Sequence, residues 1–254
     1  MQQQLNLDAY NVGAKSQPKW TARGLFFFTA FAMMLVDLYL IFMYAPEDAA
    51  QGPVQRILYF HVPIALTTFA AFGLVFLGSI MYLITRRPAW DRFAHGNAEI
   101  GVLFTSLMLI TGSIWGKSTW GVWWQWEPRL TMSLLLWLIY VAYLMVRAFA
   151  PTPARAARYS SIIGIVGFID VPIVYFAVTW WRTVHPGYVV GPAAGDDVLD
   201  PKMGIVLLFS MLTFAALYAH MLKQRLALAR LQNDVTGITN ALEDARQPQV
   251  KAMK

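Results

Sequence analysis

Apolar runs of about 20 residues recur along the whole chain and alternate with short polar or charged segments. A run of that length crosses the roughly 30 Å hydrocarbon core of a bilayer as an α-helix. The pattern predicts six such helices, near residues 24–44, 57–84, 98–114, 130–149, 159–180 and 202–222. Most runs are apolar on every side rather than on one stripe, as expected where lipid or neighbouring helices cover every face. No alternating strand pattern suggests a barrel, and a helix satisfies its own backbone in lipid. The expected fold class is therefore an all-α polytopic membrane protein seated in a lipid bilayer.

Composition agrees with the pattern. Of 254 residues, 57% are hydrophobic and 13% charged, about half the charged share of a soluble domain. The net charge of +6 is spread over loops and tail rather than gathered on one face, so nucleic acid is not an expected partner. Loop charge predicts orientation. Lys15, Lys19 and Arg23 precede the first span, and Arg86, Arg87 and Arg92 follow the second. Arg147, Arg155 and Arg158 follow the fourth, and Lys223, Arg225 and Arg230 follow the sixth. The intervening loops carry Glu47 and Asp48, then Lys117, then Asp196, Asp197 and Asp200. An N-in, C-in arrangement follows. Residues 1–23 form a cytoplasmic segment, 24–222 a six-helix membrane domain and 223–254 a cytoplasmic tail. Met1 to Trp20 lacks the apolar core of a signal peptide, so the first span is expected to stay in the mature protein.

One linker departs from the pattern. Between the third and fourth spans, on the expected outer side, runs Trp115-Gly-Lys-Ser-Thr-Trp-Gly-Val-Trp-Trp-Gln-Trp-Glu-Pro-Arg-Leu-Thr131. Its five tryptophans, Trp115, Trp120, Trp123, Trp124 and Trp126, exceed what an interfacial aromatic belt requires. Indoles at this density make a polarisable platform for a large flat ligand. Two of the four histidines share that side, His61 opening the second span and His185 following the fifth. Two imidazoles can fill both axial positions of haem iron, while the macrocycle needs aromatic or apolar cover. A zinc site would need three or four converging ligands, and the chain has no cysteine. That absence also excludes covalent haem attachment through a Cys-x-x-Cys-His motif. The cofactor expected is haem b, held without a covalent bond and bis-histidine ligated. Arg56, Arg129 and Arg182 stand near these groups and could pair with the two propionates, although an interfacial arginine also snorkels to headgroups. His95 and His220 lie on or towards the other side and read as structural. Asp37 and Asp170 fall inside spans one and five, where a carboxyl needs a partner or neutrality. An interhelical hydrogen bond is the expected use of each.

These three segments, Arg56-Ile-Leu-Tyr-Phe-His61-Val-Pro63, Trp115–Thr131 and Trp180-Trp-Arg-Thr-Val-His185, resemble the tryptophan-rich WWD haem-handling proteins. Length and span number match the cytochrome c maturation protein C (haem exporter protein C) branch of that family over roughly residues 24–222. The resemblance implies a subunit without an enzymatic reaction of its own in the bacterial inner (cytoplasmic) membrane. Such a subunit holds haem on the periplasmic side and passes it to a periplasmic haem chaperone, which binds the haem covalently before delivering it to apocytochromes c. It implies axial roles for His61 and His185 and a platform of Trp115, Trp120, Trp123, Trp124 and Trp126. It also implies an ABC-type ATPase with its membrane subunits and a small single-span subunit as partners. No Walker sequence occurs here, so ATP hydrolysis would belong to those partners. The acid that commonly closes the motif as Asp is Glu127 here, one methylene longer and followed by Pro128.

Two other functions compete. An electron-transfer membrane cytochrome would place two histidine pairs across the bilayer, and His95 and His220 do not mirror His61 and His185. A small-molecule transporter would rest on two isolated acids and no evident repeat. In the tail, Leu228, Leu231, Val235, Ile238 and Leu242 form an a/d seam of about two heptads, too short to be stable alone.

Overall fold

The computed structural model describes residues 20–181, 185, 187 and 199–252, with side chains described for 24–181, 185, 187 and 199–243. Its helices are α1 (Trp20–Tyr39), α2 (Leu58–Thr85), α3 (Pro88–Trp120), α4 (Pro128–Phe149), α5 (Pro153–Phe168), α6 (Asp170–Trp180) and α7 (Pro201–Ala252). A π-helical turn, Leu40–Tyr44, extends α1, and a 3-10 turn, Pro53–Ile57, leads into α2. Six helical stretches are long and apolar enough to cross a membrane, so the chain is an all-helical multi-pass membrane protein. Among the described residues the one extended pairing is the isolated bridge Asp48–Gly52.

Proline and left-handed residues punctuate the helices. Pro88, Pro128 and Pro153 each open a helix, where the missing N–H costs nothing and φ is already helical. Pro201 does the same for α7, with Asp200 Oδ1 accepting from the Lys202 amide at 2.8 Å. Arg86, at φ 57°, closes α2 and allows the tight reversal into α3. Gly121, at φ 77°, ends α3 and releases the tryptophan linker; a side chain would strain that conformation. Pro172 removes the amide that would bond to the Phe168 carbonyl, and the fifth span breaks there at Ile169 into α5 and α6.

Helix packing divides the bundle into three layers. Phe72 and Val75 of α2 meet Ala94 and Ala98 of α3, Leu136, Tyr140 and Tyr143 of α4, and Val171 and Val174 of α6. Ile64 and Ala71 of α2 meet Phe104 and Met108 of α3 and Phe214 and Tyr218 of α7. Ile41, Tyr59, Trp115, Val206 and Leu207 form the third layer. Small residues set the approach, as in membrane bundles generally: Gly101 faces the Phe72 ring, Gly78 faces Ala94, and Gly164 faces Ser79 and Val75.

The spans run back and forth, so their ends gather on two sides. The tryptophan end collects the starts of α2, α4 and α7 and the finishes of α1, α3 and α6. The opposite, arginine end carries an ionic network. Arg147 of α4 pairs in a bidentate manner with Asp91 of α3, and Arg225 of α7 does so with Glu99 of α3. His95 Nε2 lies 3.3 Å from Glu99, and Tyr218 donates to the buried Asn97.

These pairs explain the first of two departures from the expected spans. The third span was expected from residue 98, but its helix begins at Pro88. Its polar first turns are satisfied by Arg147 and Arg225 and need no loop. The sixth span and the tail form one helix, α7, about 78 Å long at 1.5 Å per residue. Leu228, Leu231, Val235 and Leu242 are exposed on it.

Candidate functional site

His61 sits in the first turn of α2, within reach of the last turns of α3. Its Nδ1 lies 2.9 Å from Thr111 Oγ1. The indole of Trp115 meets the imidazole edge to face, with centroids 5.8 Å apart at 76°. Trp115 Nε1 donates to Gln51 Oε1 at 2.9 Å, tying α3 to the turn built on Asp48, whose Oδ1 accepts from the Ala50 and Gln51 amides. Trp115 is only 7% exposed. It is a buttress behind the histidine as much as a wall.

A cavity partly open to solvent lies beside His61. Its walls are His61, Phe69, Met108, Gly112, Trp115, Trp120, Trp123, Trp124, Arg129, Val174 and His185, with smaller residues between them. Phe69 and Val174 belong to the same layer as Phe72 and Tyr140, so the bundle core forms the floor.

Of the residues singled out from the sequence, the cavity unites His61, His185, Trp115, Trp120, Trp123, Trp124 and Arg129. Trp123 is 60% exposed and forms an outer lip. Trp124 is half-buried, and its Nε1 is buried without a hydrogen-bond partner among the described residues. Trp126, 77% exposed, stands outside and packs edge to face on Trp124 at 5.7 Å. Glu127 is buried at the N-cap position of α4, where the positive end of the helix favours a carboxylate. It supports the linker's return into the bundle rather than lining the cavity. Arg56 also lies off the wall. Its guanidinium is 3.7 Å from Glu47 and stacks over Phe42 at 6.0 Å. Arg182, Asp196 and Asp197 lie outside the described residues.

Three other titratable groups keep structural partners, and Asp170 is the exception. His220 stacks on Phe26 at 5.8 Å, and His95 belongs to the ionic network. Asp37 Oδ1 accepts from Ser210 at 2.8 Å, linking α1 to α7; this is the interhelical bond expected. Asp170 is buried at the break between α5 and α6, with Oδ2 unpartnered among the described residues. Sequence reading did not single out Thr111 or Gly112. Both touch His61 from α3 about fifty positions away, and no local pattern marks them.

Comparison with known proteins places this arrangement in a family. The family model described as Heme exporter protein C matches residues 14–240. The Heme exporter protein C of Bradyrhizobium diazoefficiens is 36% identical over 192 residues, covering 75% of this chain and 70% of that protein. That of Haemophilus influenzae is 30% identical over 229 residues, covering 90% and 89%. That of Escherichia coli is 32% identical over 192 residues, covering 76% and 75%. With a match across almost its entire described length, the chain belongs to the Heme exporter protein C family.

Proposed function

We propose that the protein is a haem-handling subunit of cytochrome c biogenesis that holds haem b in the cavity at the tryptophan end and passes it to a periplasmic chaperone. Family membership supports the haem-handling role. The observation that carries the finer reading is one cavity bordered by both His61 and His185, residues from opposite halves of the chain, and by four indoles. The donor set suits a planar metallocofactor. Among the described residues there is no cluster of three or more His, Cys, Asp or Glu of the kind a bare ion would require. Haem iron needs only two axial donors from the protein, and the macrocycle takes the aromatic surface.

In this reading His61 and His185 hold the iron from its two faces, leaving no open position for oxygen chemistry. Trp120, Trp123 and Trp124 cover the ring, and Arg129 offers a guanidinium to a propionate. Trp123, on the outer lip, is the wall that yields when cargo leaves. The loops' charge bias supports a periplasmic position for this end and a cytoplasmic one for the arginine end. An ABC-type ATPase, its membrane subunits and a small single-span subunit supply the work from outside this chain.

A photo-crosslinker tests the hand-off. Placed at Thr119, on the exposed last turn of α3, it should capture the chaperone, whereas probes at Arg87 or Arg155 should not. Capture from the arginine end alone would overturn both the orientation and the direction of transfer.

A further inference from the structure

The hydroxyl of Thr111 has three polar neighbours: His61 Nδ1 at 2.9 Å, the Leu107 carbonyl at 2.8 Å and the Met108 carbonyl at 3.2 Å. It has one proton and can accept at its remaining lone pairs. Both carbonyls only accept. Turning the proton towards Nδ1 would leave the hydroxyl oxygen facing the Leu107 oxygen at 2.8 Å with no proton between them. The arrangement that satisfies every group gives the hydroxyl proton to the helix carbonyl and has Nδ1–H donate to Thr111. The proton of the imidazole is thereby assigned to Nδ1. Nε2, which has no hydrogen-bond partner among the described residues, carries the free lone pair.

Gly112 completes the setting. A Cβ at this position would stand 3.1 Å from His61 Cε1, closer than a side-chain carbon ordinarily sits, and at an ordinary 3.7 Å from Nδ1. The imidazole is thus pressed against the bare α3 backbone, one residue from the hydroxyl that orients it, with Trp115 against it from the next turn.

We propose that Thr111 is a positioning residue that locks His61 in its Nδ1–H tautomer, making Nε2 the iron-binding nitrogen, and that Gly112 provides the clearance for the ring. The proposal rests on the reading of His61 as an axial ligand. It assigns to Thr111 the outer-shell duty that metal-bound histidines ordinarily give to a carboxylate, carbonyl or water. A hydroxyl suits a site that receives and releases its cargo. It fixes the ring's orientation without the negative charge of a carboxylate, which would strengthen iron binding.

The test uses full-length protein in detergent, labelled with 15N-histidine, first without haem. His61 is assigned by the signal lost in His61→Gln. The wild type should show His61 with Nδ1 protonated and Nε2 bare. Thr111→Val, which keeps the shape and removes the acceptor, should move His61 to a mixture of tautomers; Thr111→Ser should retain the lock. After haem loading, Thr111→Val should weaken retention about 10- to 100-fold, the scale of losing such a partner, with Thr111→Ser close to wild type. Gly112→Ala should lower the low-spin fraction while leaving the Thr111 hydroxyl in place. A wild-type His61 protonated at Nε2, or a Thr111→Val protein with an unchanged tautomer, would overturn the proposal. Unchanged haem spectra in His61→Gln would instead refute the ligand reading, while the tautomer result in haem-free protein would stand.

Discussion

Gly101→Ala places one methyl group where the bundle has no room for it. A Cβ at Gly101 would lie 2.5 Å from Phe72 Cε1 and 2.9 Å from Cδ1. That is about 1 Å inside an ordinary carbon–carbon approach of roughly 3.5 Å. Phe72 cannot easily yield. It is fully buried and stacked on Tyr140, with centroids 3.6 Å apart and planes within 8°. Tyr140 is itself fully buried and held by its hydroxyl donating to the Gly164 carbonyl at 3.2 Å. Relieving the clash therefore requires displacing two rings or separating α2 from α3. Overpacking of this kind costs about 1–3 kcal/mol, and at 2–4 °C per kcal/mol for chains of this size the midpoint should fall by about 2–12 °C. Gly73→Ala is the matched control. It sits in the facing helix, where a Cβ would meet Phe168 at an ordinary 3.6 Å, and any gain in helix propensity applies to both variants. Thermal unfolding of the two proteins in the same detergent, followed by circular dichroism, measures the difference. Equal midpoints would refute the claim that the Phe72–Tyr140 stack is rigid.

The exposed and walled tryptophans should separate in the same way. Trp124→Ala is expected to weaken haem retention by about 1–3 kcal/mol, the scale of one aromatic stacking contact, with Phe restoring more than Leu; Trp126→Ala, outside the cavity, should cost distinctly less in the same haem-transfer titration. At the arginine end, Arg147→Met leaves Asp91 without its bidentate partner at 15% side-chain exposure. It should destabilise the fold by about 3–5 kcal/mol in a thermal-unfolding comparison, and adding Asp91→Leu should recover most of the loss.

What the sequence made legible follows from how strongly each feature is imposed by solvent. Spans of about 20 apolar residues are set by the bilayer itself, so six helices could be read without any tertiary knowledge. The polar first turns of α3 could not, because Asp91 and Glu99 become acceptable only beside Arg147 and Arg225, more than fifty positions away. The cavity residues His61, His185 and Trp120–Trp124 were visible because so many indoles in one linker have no packing purpose. Arg56 was marked by proximity in sequence to His61, yet Glu47 and Phe42 draw its side chain elsewhere. Trp115 was marked as platform, and its burial and bond to Gln51 show that it also braces the histidine. Thr111 and Gly112 carry no signature at all. Their part depends on one helix face meeting another.

The central claim is that His61 and His185 together hold haem iron. Its most direct test is the low-spin signal of haem-loaded protein in which each histidine is replaced singly by glycine, measured by electron paramagnetic resonance before and after adding imidazole. The account predicts that His61→Gly and His185→Gly each lose the bis-imidazole signal and that free imidazole, entering the vacated space, restores it in both. Retention of an unaltered signal by both variants without imidazole would contradict it.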